Sequence, residues 1–176
     1  MASIHVVRHG QSSWNKSQRW AGHANVALTE LGRQQAAQAC PGLAELGFER
    51  VASSGLNRAR ETATIISQHC ELPLLTANTA LNEQHYGELS GLTEDQISRR
   101  YPGFMAAWQA GTPLEIPGGE LWAEFVARVF TGLAALATLP GKTLVVAHLG
   151  VLRAIEHQQG NKQSKHDNLG GLWLEL

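Results

Sequence analysis

The chain has 176 residues, 43% of them hydrophobic, with a formal net charge of −1 and a pI of about 6.7. This length and apolar content fit one ordinary domain with a sizeable core. Because there is no run of Lys and Arg, nucleic acid is not an expected partner. The longest apolar stretch, residues 133–139, is too short to span a membrane.

The first half of the chain alternates between strand and helix patterns. A β-branched run predicts a strand at residues 3–8, and residues 11–15 read as a polar loop. Thr29 is a candidate N-cap for a helix that ends near residue 46, where Gly47 supplies a C-cap signal. The pattern then predicts a strand at 50–53, a helix at 56–70 and a strand at 73–76.

The second half continues this alternation after an interruption. Residues 82–92 read as a loop, and the helical patterns that follow cover 93–101, 104–109 and 120–139. A strand at 142–148 has an almost wholly apolar centre, which is typical of a central parallel strand; a helix at 151–157 and a strand at 171–176 complete the chain. We therefore expect an α/β fold, with the insertion at about 81–119 as a lid over a site.

The cysteines and histidines do not indicate a metal or disulfide framework. Cys40 and Cys70 fall in separate predicted helices and form no Cys-x-x-Cys pair, as expected for buried thiols in a reducing cytosol. The eight histidines include no His-x-x-x-His pair on a predicted helix. Met1-Ala2-Ser3 leads directly into the first strand without room for a signal peptide, so a cytoplasmic location is expected.

Arg8-His9-Gly10 follows the first predicted strand, where ligands bind in open α/β sheets. Arginine offers a planar fork that matches phosphate oxygens, histidine offers a nucleophilic nitrogen near neutral pH, and glycine lets a bulky group approach the backbone. Alone, the tripeptide also fits a surface arginine beside an ordinary loop histidine.

Three further segments place polar residues just past a strand end or in a loop. Residues 54–63 follow the second strand, Glu83 lies in the loop 81–87, and His148-Leu149-Gly150 follows the apolar strand. The last segment repeats the arrangement of a histidine and a glycine beyond a strand. The four segments together predict one site at the carboxyl edge of the sheet.

Taken in order, the motifs of the chain resemble those of the histidine phosphatase superfamily, the phosphoglycerate-mutase-like group. The resemblance implies a single three-layer α/β/α domain over residues 1–176, with a mostly parallel central sheet and helices on both faces. The matching blocks are Arg8-His9-Gly10-Gln11-Ser12-Ser13-Trp14-Asn15, Leu28-Thr29-Glu30-Leu31-Gly32-Arg33-Gln34-Gln35-Ala36, Ser54-Gly55-Leu56-Asn57-Arg58-Ala59, Pro117-Gly118-Gly119-Glu120 and Val145-Val146-Ala147-His148.

The resemblance implies a role for each site residue, with no metal and no cofactor. His9 attacks phosphorus and becomes a phosphohistidine, with a backbone carbonyl holding its other ring N–H. Glu83 protonates the leaving oxygen and then deprotonates water. The phosphoryl oxygens are bound by Arg8, Arg58 and a protonated His148, with contributions from Asn15 and the backbone N–H of Leu149. Gly22 and Arg60 are candidates for the substrate rim.

Several of these residues also have simpler interpretations. Arg58 could be a solvated cation early in a helix, and Glu83 an exposed loop acid, with Glu88 as a rival for its role. Arg60 fits a surface salt bridge equally well. His23 and His85 read as rim or surface residues. Trp14, Trp20, Trp108 and Trp122 could line the pocket or belong to the core.

The chain departs from the family pattern at positions that bear on the substrate. Gly55 stands where many relatives have Asp or Pro, Leu121 where a hydroxyl residue often follows the Pro-Gly-Gly-Glu block, and Leu149 where glycine or serine is usual. Ala21 and Asn25 replace a common Gln and a common Asp. None of these changes removes a catalytic group, but they leave the identity of the substrate open.

The expected function is metal-independent hydrolysis of a small phosphorylated metabolite through a phosphohistidine. The chain resembles the short phosphatase branch, which includes α-ribazole-phosphatase-like and broad-specificity members. The alternatives are phosphoglycerate-mutase-type transfer, which is typical of longer relatives, hydrolysis of protein phosphohistidine, and a non-catalytic phosphate-binding scaffold. The sequence leaves the oligomeric state open.

Overall fold

The computed structural model describes residues 2–110, 114–161 and 164–174. Within them, β1 (Ala2–Arg8), β2 (Arg50–Ser53), β3 (Gly141–Ala147) and β4 (Gly171–Leu174) form a sheet in the order β2-β3-β1-β4. The pairs β1–β3 and β2–β3 are parallel, and β4 runs antiparallel to β1. The register pairs Arg8 with Ala147 and Ser53 with Val146, so the carboxyl ends of the three parallel strands lie at one edge.

Helices cover both faces of this sheet. On one face α2 and α3 pack over Val7 and Val146; on the other, α6 and α7 pack over Val6 and Val145. Because neighbouring residues of a strand point to opposite faces, a strand covered on both faces needs consecutive apolar residues. The fold is therefore a single α/β domain of three layers. The helices are α1 (Ser13–Lys16), α2 (Glu30–Glu45), α3 (Asn57–His69), α4 (Glu94–Arg100), α5 (Phe104–Gln109), α6 (Trp122–Ala137) and α7 (Leu149–Gln158).

Two predicted elements are wrong. The polar loop predicted at residues 11–15 contains the start of α1, because Ser12 and Asn15 form a reciprocal capping box. The strand predicted at 73–76 is absent: this segment makes only an isolated bridge between Leu74 and Val51. Pro73 has no N–H to donate to a neighbouring strand, and Leu74 is 41% exposed, so neither pairing nor burial extends the bridge.

The insertion at residues 81–119 has a small core of its own. Leu89, Ile97 and Phe104 are buried in it together with Met105 and Ile116, and Trp20 packs against this cluster from outside the insertion. The insertion carries α4, α5 and a 3-10 turn at Gly87–Leu89. Its action as a lid stays a prediction. No helix in the described part of the chain is both long and apolar enough to cross a membrane.

Candidate active site

A pocket of about 560 Å³ opens at the carboxyl edge of the parallel strands. The predicted site residues that line it are Arg8, His9, Asn15, Gly22, Arg58, Glu83 and Leu149. His148 is completely buried beside the pocket, with its ring centroid 5.3 Å from that of His9. The structure thus brings together side chains from four separate segments of the sequence.

The position of His9 fixes which ring nitrogen is available to react. Its Nδ1 lies 2.6 Å from the Gly10 carbonyl oxygen, and its Nε2 accepts a 3.1 Å hydrogen bond from Nε of Arg58. Since a carbonyl oxygen can only accept, the proton resides on Nδ1 and Nε2 keeps its lone pair. Burial and the positive charge of Arg58 hold the pKa of His9 well below its ordinary value of 6.5. His9 therefore presents an unprotonated nitrogen at neutral pH.

Arg58 is a buried, anchored cation rather than a solvated one. It lies in the first turn of α3, is 1% exposed, and donates Nη1 to the Ala24 carbonyl at 2.8 Å and Nη2 to the Gly22 carbonyl at 2.9 Å. Burial lowers the pKa of Arg58 to about 10, so it remains positively charged at neutral pH. Gly22, a predicted rim residue, adopts a left-handed conformation and orients this arginine through its backbone.

Arg8 provides the second cation. Its Nη1 donates a 2.9 Å hydrogen bond to the His166 carbonyl, and its buried Nε has no partner among the described residues. Burial lowers the pKa of Arg8, and the charge of Glu83 opposes this shift. A buried donor without a partner is costly unless a ligand satisfies it, so Arg8 is suited to an anion.

Burial determines the charge of His148 in the free protein. Its Nε2 lies 2.6 Å from Oγ of Ser54, and its buried Nδ1 has no partner in the described part of the chain. Burial and the positive charge of Arg58 hold the pKa of His148 well below its ordinary value. The ring is therefore neutral at neutral pH in the free protein, and its protonation with phosphate bound stays a prediction. A phosphoryl dianion beside it would favour the protonated form.

Glu83 is buried and oriented by backbone donors. It is 7% exposed, with Oε1 accepting from the N–H of Gln84 at 2.9 Å and Oε2 from that of Gly150 at 3.2 Å. A Cβ added at Gly150 would lie 2.1 Å from Oε1, so a residue with a side chain there would displace the carboxyl group. The rival Glu88 is exposed, pairs with Arg100 and does not line the pocket.

Sequence reasoning missed the residues that hold the loop around Glu83. Arg128 on α6 donates to the carbonyls of Ala80, Asn82 and Glu83 at 2.8–3.0 Å, and it pairs with both carboxyl oxygens of Glu120. Glu120 in turn accepts from the N–H of His85. Arg128 is the one arginine in the otherwise largely apolar helix α6, and this charge could have marked it as a candidate. Its partners lie far away in the sequence, so the spacing of residues does not identify them. We call residues 80–85 the acid loop.

Of the remaining predicted site residues, Asn15 and Leu149 lie at the pocket and Arg60 does not. Asn15 lines the pocket, and its side-chain oxygen accepts from the Ser12 backbone N–H. The N–H of Leu149, in the first turn of α7, has no hydrogen bond to a described residue. Arg60 is exposed and lies outside the pocket, so its rim assignment has no geometric support.

The aromatic and cationic surroundings of the pocket add groups that the motifs did not indicate. Trp20 and Trp108 line it, whereas Trp14 and Trp122 do not. Tyr86 also lines the pocket, with its ring 5.0 Å from Trp20 and 6.2 Å from Trp108, and the two indole rings lie 4.9 Å apart. Arg153 on α7 also lines the pocket, and its buried Nε has no partner among the described residues. This lining combines a cationic end with an aromatic wall.

Grouped metal ligands are not a feature of the described residues. No three His, Cys, Asp or Glu side chains lie together in residues 2–110, 114–161 and 164–174 in a way that could hold a metal ion. The cationic groups in the pocket are arginines, which bind oxyanions directly.

Curated proteins similar to this chain are named as phosphoglycerate mutases or as mutase-like. "Phosphoglycerate mutase-like protein 4" of Arabidopsis thaliana is 38% identical over 160 residues, which cover 88% of this chain and 69% of the relative. The "2,3-bisphosphoglycerate-dependent phosphoglycerate mutase" of Methylobacterium radiotolerans is 37% identical over 161 residues, covering 85% and 75%.

Solved structures similar to this chain include mycobacterial hydrolases. "Mycobacterial hydrolase 1" superimposes with a TM-score of 0.87 at 28% identity, covering 97% of this chain and 90% of that structure. A mycobacterial glucosyl-3-phosphoglycerate phosphatase superimposes with a TM-score of 0.85 at 27% identity, covering 97% and 91%. The family model of the histidine phosphatase superfamily (branch 1) matches residues 4–169, and the chain belongs to this superfamily.

Proposed function

We propose that this protein is a metal-independent phosphomonoester hydrolase that acts on a small phosphorylated metabolite through a phosphohistidine. The observation that carries the proposal is the state of His9, whose Nε2 is unprotonated while Nδ1 is held by the Gly10 carbonyl. That nitrogen lies beside Arg58 in a pocket also lined by Arg8 and Glu83. We call Arg8, Arg58 and His148 the phosphate clamp.

In the first step, the lone pair of His9 Nε2 forms a bond to phosphorus while the bond from phosphorus to the ester oxygen breaks. Glu83, in its acid form, gives the departing oxygen a proton. The phosphate clamp would stabilise the charge on the three equatorial oxygens, and the buried Nδ1 of His148, which has no partner among the described residues, would donate to one of them.

In the second step, water attacks phosphorus and the bond to His9 breaks. Glu83 accepts a proton from the water and returns to its acid form, inorganic phosphate leaves, and the lone pair returns to Nε2. Two arginines and a histidine that can take up a proton supply the positive charge that a metal ion would otherwise bring.

The dimensions of the pocket favour a small substrate over a protein. A volume of about 560 Å³ lies in the range of small-molecule sites, and the walls formed by Trp20, Tyr86 and Trp108 enclose one side. These observations support a metabolite more than a protein phosphohistidine. A non-catalytic scaffold is the weaker alternative, because it would not require the unprotonated Nε2 of His9 or the oriented carboxyl group of Glu83.

Hydrolysis of a panel of phosphorylated metabolites with EDTA present tests the proposal. We expect release of inorganic phosphate from at least one compound. Rapid quenching with labelled substrate should recover acid-labile label on the protein. The metal-independent mechanism is wrong if prolonged EDTA treatment stops turnover and Mg²⁺ or Zn²⁺ restores it; the hydrolase proposal fails if no compound is cleaved.

Phosphoglycerate-mutase-type transfer is the second candidate, and the names of the curated relatives favour it. The two activities share the first step and differ in what accepts the phosphoryl group. Labelled phosphoenzyme should lose its label to water at the same rate with and without added phosphoglycerate if the protein is a hydrolase. Recovery of the label in a bisphosphoglycerate would identify a mutase.

A further inference from the structure

Residues 22–24 connect the two halves of the active site. The carbonyls of Gly22 and Ala24 accept hydrogen bonds from the two terminal nitrogens of Arg58. Between them, Nε2 of His23 lies 2.7 Å from the Glu83 carbonyl oxygen. One tripeptide therefore contacts both a member of the phosphate clamp and the backbone of the proposed acid.

The contact between His23 and Glu83 has a defined direction. A carbonyl oxygen only accepts, so His23 Nε2 carries the proton and donates it. Arg128 Nη2 donates to the same oxygen at 2.8 Å, and both lone pairs of that carbonyl thereby have partners. The His23 ring lies edge-on to His85, 5.0 Å away, which limits its rotation.

Packing leaves this tripeptide little freedom to move alone. A Cβ added at Gly22 would lie 3.0 Å from the Tyr86 backbone nitrogen and 3.2 Å from the Gln84 carbonyl oxygen. The backbone of Gly22 therefore lies directly against the backbone that follows Glu83. The side chain of His23 adds a hydrogen bond across this backbone contact and joins the tripeptide that holds Arg58 to Glu83.

We propose that His23 is a positioning residue that fixes Glu83 and Arg58 relative to each other through its side-chain contact with the Glu83 carbonyl. This inference rests on the proposed function for its kinetic consequences. His23 does not line the pocket, so it acts through these two residues and not on the substrate. Its loss should weaken both halves of the site, whereas a change in the acid loop alone should weaken one.

The experiment compares His23→Leu, which removes the donor, with His23→Gln, which can donate from a similar distance. For His23→Leu we expect kcat on an alkyl phosphate to fall about threefold to tenfold and Kd for inorganic phosphate to rise by a similar factor, as for one lost hydrogen bond. His23→Gln should stay within about twofold of the wild type in both. His69→Leu, which removes an exposed histidine at the end of α3, is the matched control.

A second comparison separates positioning from general destabilisation. In a Glu83→Gln background, His23→Leu should no longer lower kcat on the alkyl phosphate, yet it should still raise Kd for phosphate through Arg58. If His23→Leu does not fold, His23→Asn applies the same test, since its amide is too short to reach the carbonyl.

The proposal is overturned if His23→Leu changes only one of the two quantities, changes neither, or is matched by His23→Gln. Calorimetric binding of inorganic phosphate needs no turnover. A wild-type protein that binds phosphate but hydrolyses nothing would therefore refute the proposed hydrolase, while a normal Kd in His23→Leu would refute the role of His23.

Discussion

The two sides of the active site are built differently. His9 and His148 follow the parallel strands β1 and β3, and Arg58 lies in the first turn of the helix after β2. The phosphate clamp therefore takes its geometry from sheet register and backbone carbonyls. Glu83 lies in a loop and takes its position from Arg128, His23 and the N–H of Gly150. The sheet fixes one side and side-chain contacts fix the other. We therefore expect substitutions on the two sides to affect different measured properties.

The largest effect should follow from removing the nucleophile. His9→Ala should lower turnover by about 10⁴-fold or more on every substrate, because no phosphoenzyme can form. The fold should remain intact, since His9 follows β1 and is not part of the apolar core. Initial rates, circular dichroism and the loss of acid-labile label check this. More than a few per cent of residual activity would remove His9 from the nucleophile's role.

Removing the acid should discriminate between leaving groups. Glu83→Gln should slow phosphoenzyme formation from an alkyl phosphate by about 10²–10⁴-fold, and from an aryl phosphate much less, because an aryl oxygen leaves without a proton. Step-resolved kinetics are needed, since Glu83 also assists the attack of water. Glu88→Gln, which changes an exposed acid nearby, is the control and should leave both rates unchanged. Equal losses on the two esters would mean that Glu83 is not the acid.

Removing Arg128, which holds the acid loop, should also slow the reaction of alkyl phosphates more than that of aryl phosphates, but by a smaller factor than Glu83→Gln. Arg128→Met breaks contacts to Ala80, Asn82 and Glu83, so we expect an alkyl-specific loss of about tenfold to 100-fold with little change in Kd for phosphate. It also leaves Glu120 without its partner and should cost up to about 3 kcal/mol of stability. The rates of Arg128→Met should therefore be measured well below the unfolding temperature of this variant.

Arg100→Met is the matched control for Arg128. It also breaks an Arg–Glu pair beside the acid loop, but the side chains of Arg100 and Glu88 are 55% and 50% exposed. Exposed pairs contribute little, so rates and stability should stay close to those of the wild type. A uniform loss on alkyl and aryl esters in Arg128→Met would show that Arg128 supports the whole site and not the acid loop alone.

The phosphate clamp was largely predictable from sequence, and the acid loop was only partly so. The residues that follow parallel strands share one edge of the sheet, which brings His9 and His148 together without further information. The contacts of Arg128 with the carbonyls of Ala80 and Asn82 span more than 45 positions of sequence. They depend on how α6 packs, which no local pattern records.

The charge of His148 shows a second limit of the sequence. Its motif correctly indicates the place of the ring, but protonation depends on burial and on the distance to Arg58, both of which come from the fold. The exposure of Leu74 likewise comes from the fold, and it decides the segment at 73–76 against the strand pattern. The start of α1, in contrast, has a local signal in the Ser12–Asn15 capping box, which the loop prediction overlooked.

The smallest predicted effect concerns stability. It sharpens the comparison because the two rings whose pKa is lowered most, those of His9 and His148, lie on the clamp side. The folded protein holds the pKa of His9 and His148 well below 6.5, whereas the unfolded chain binds protons at about that pH. As pH falls from about 7.5 to about 5.5, the unfolded state gains protons that the folded state does not. The free energy of unfolding should therefore fall, by about 1 kcal/mol for each ring.

Urea unfolding at the two pH values measures this loss in the wild type, His9→Asn and His148→Asn. Each variant lacks one buried ring and should lose about 1 kcal/mol less on acidification than the wild type, although it starts from a lower stability. His69→Asn, which removes an exposed ring, controls for the mere loss of a histidine. Saturating phosphate should reduce the pH dependence, because a bound dianion favours protonation of His148 in the folded state. If the wild type and both site variants lose stability equally, the two rings are not held neutral by burial.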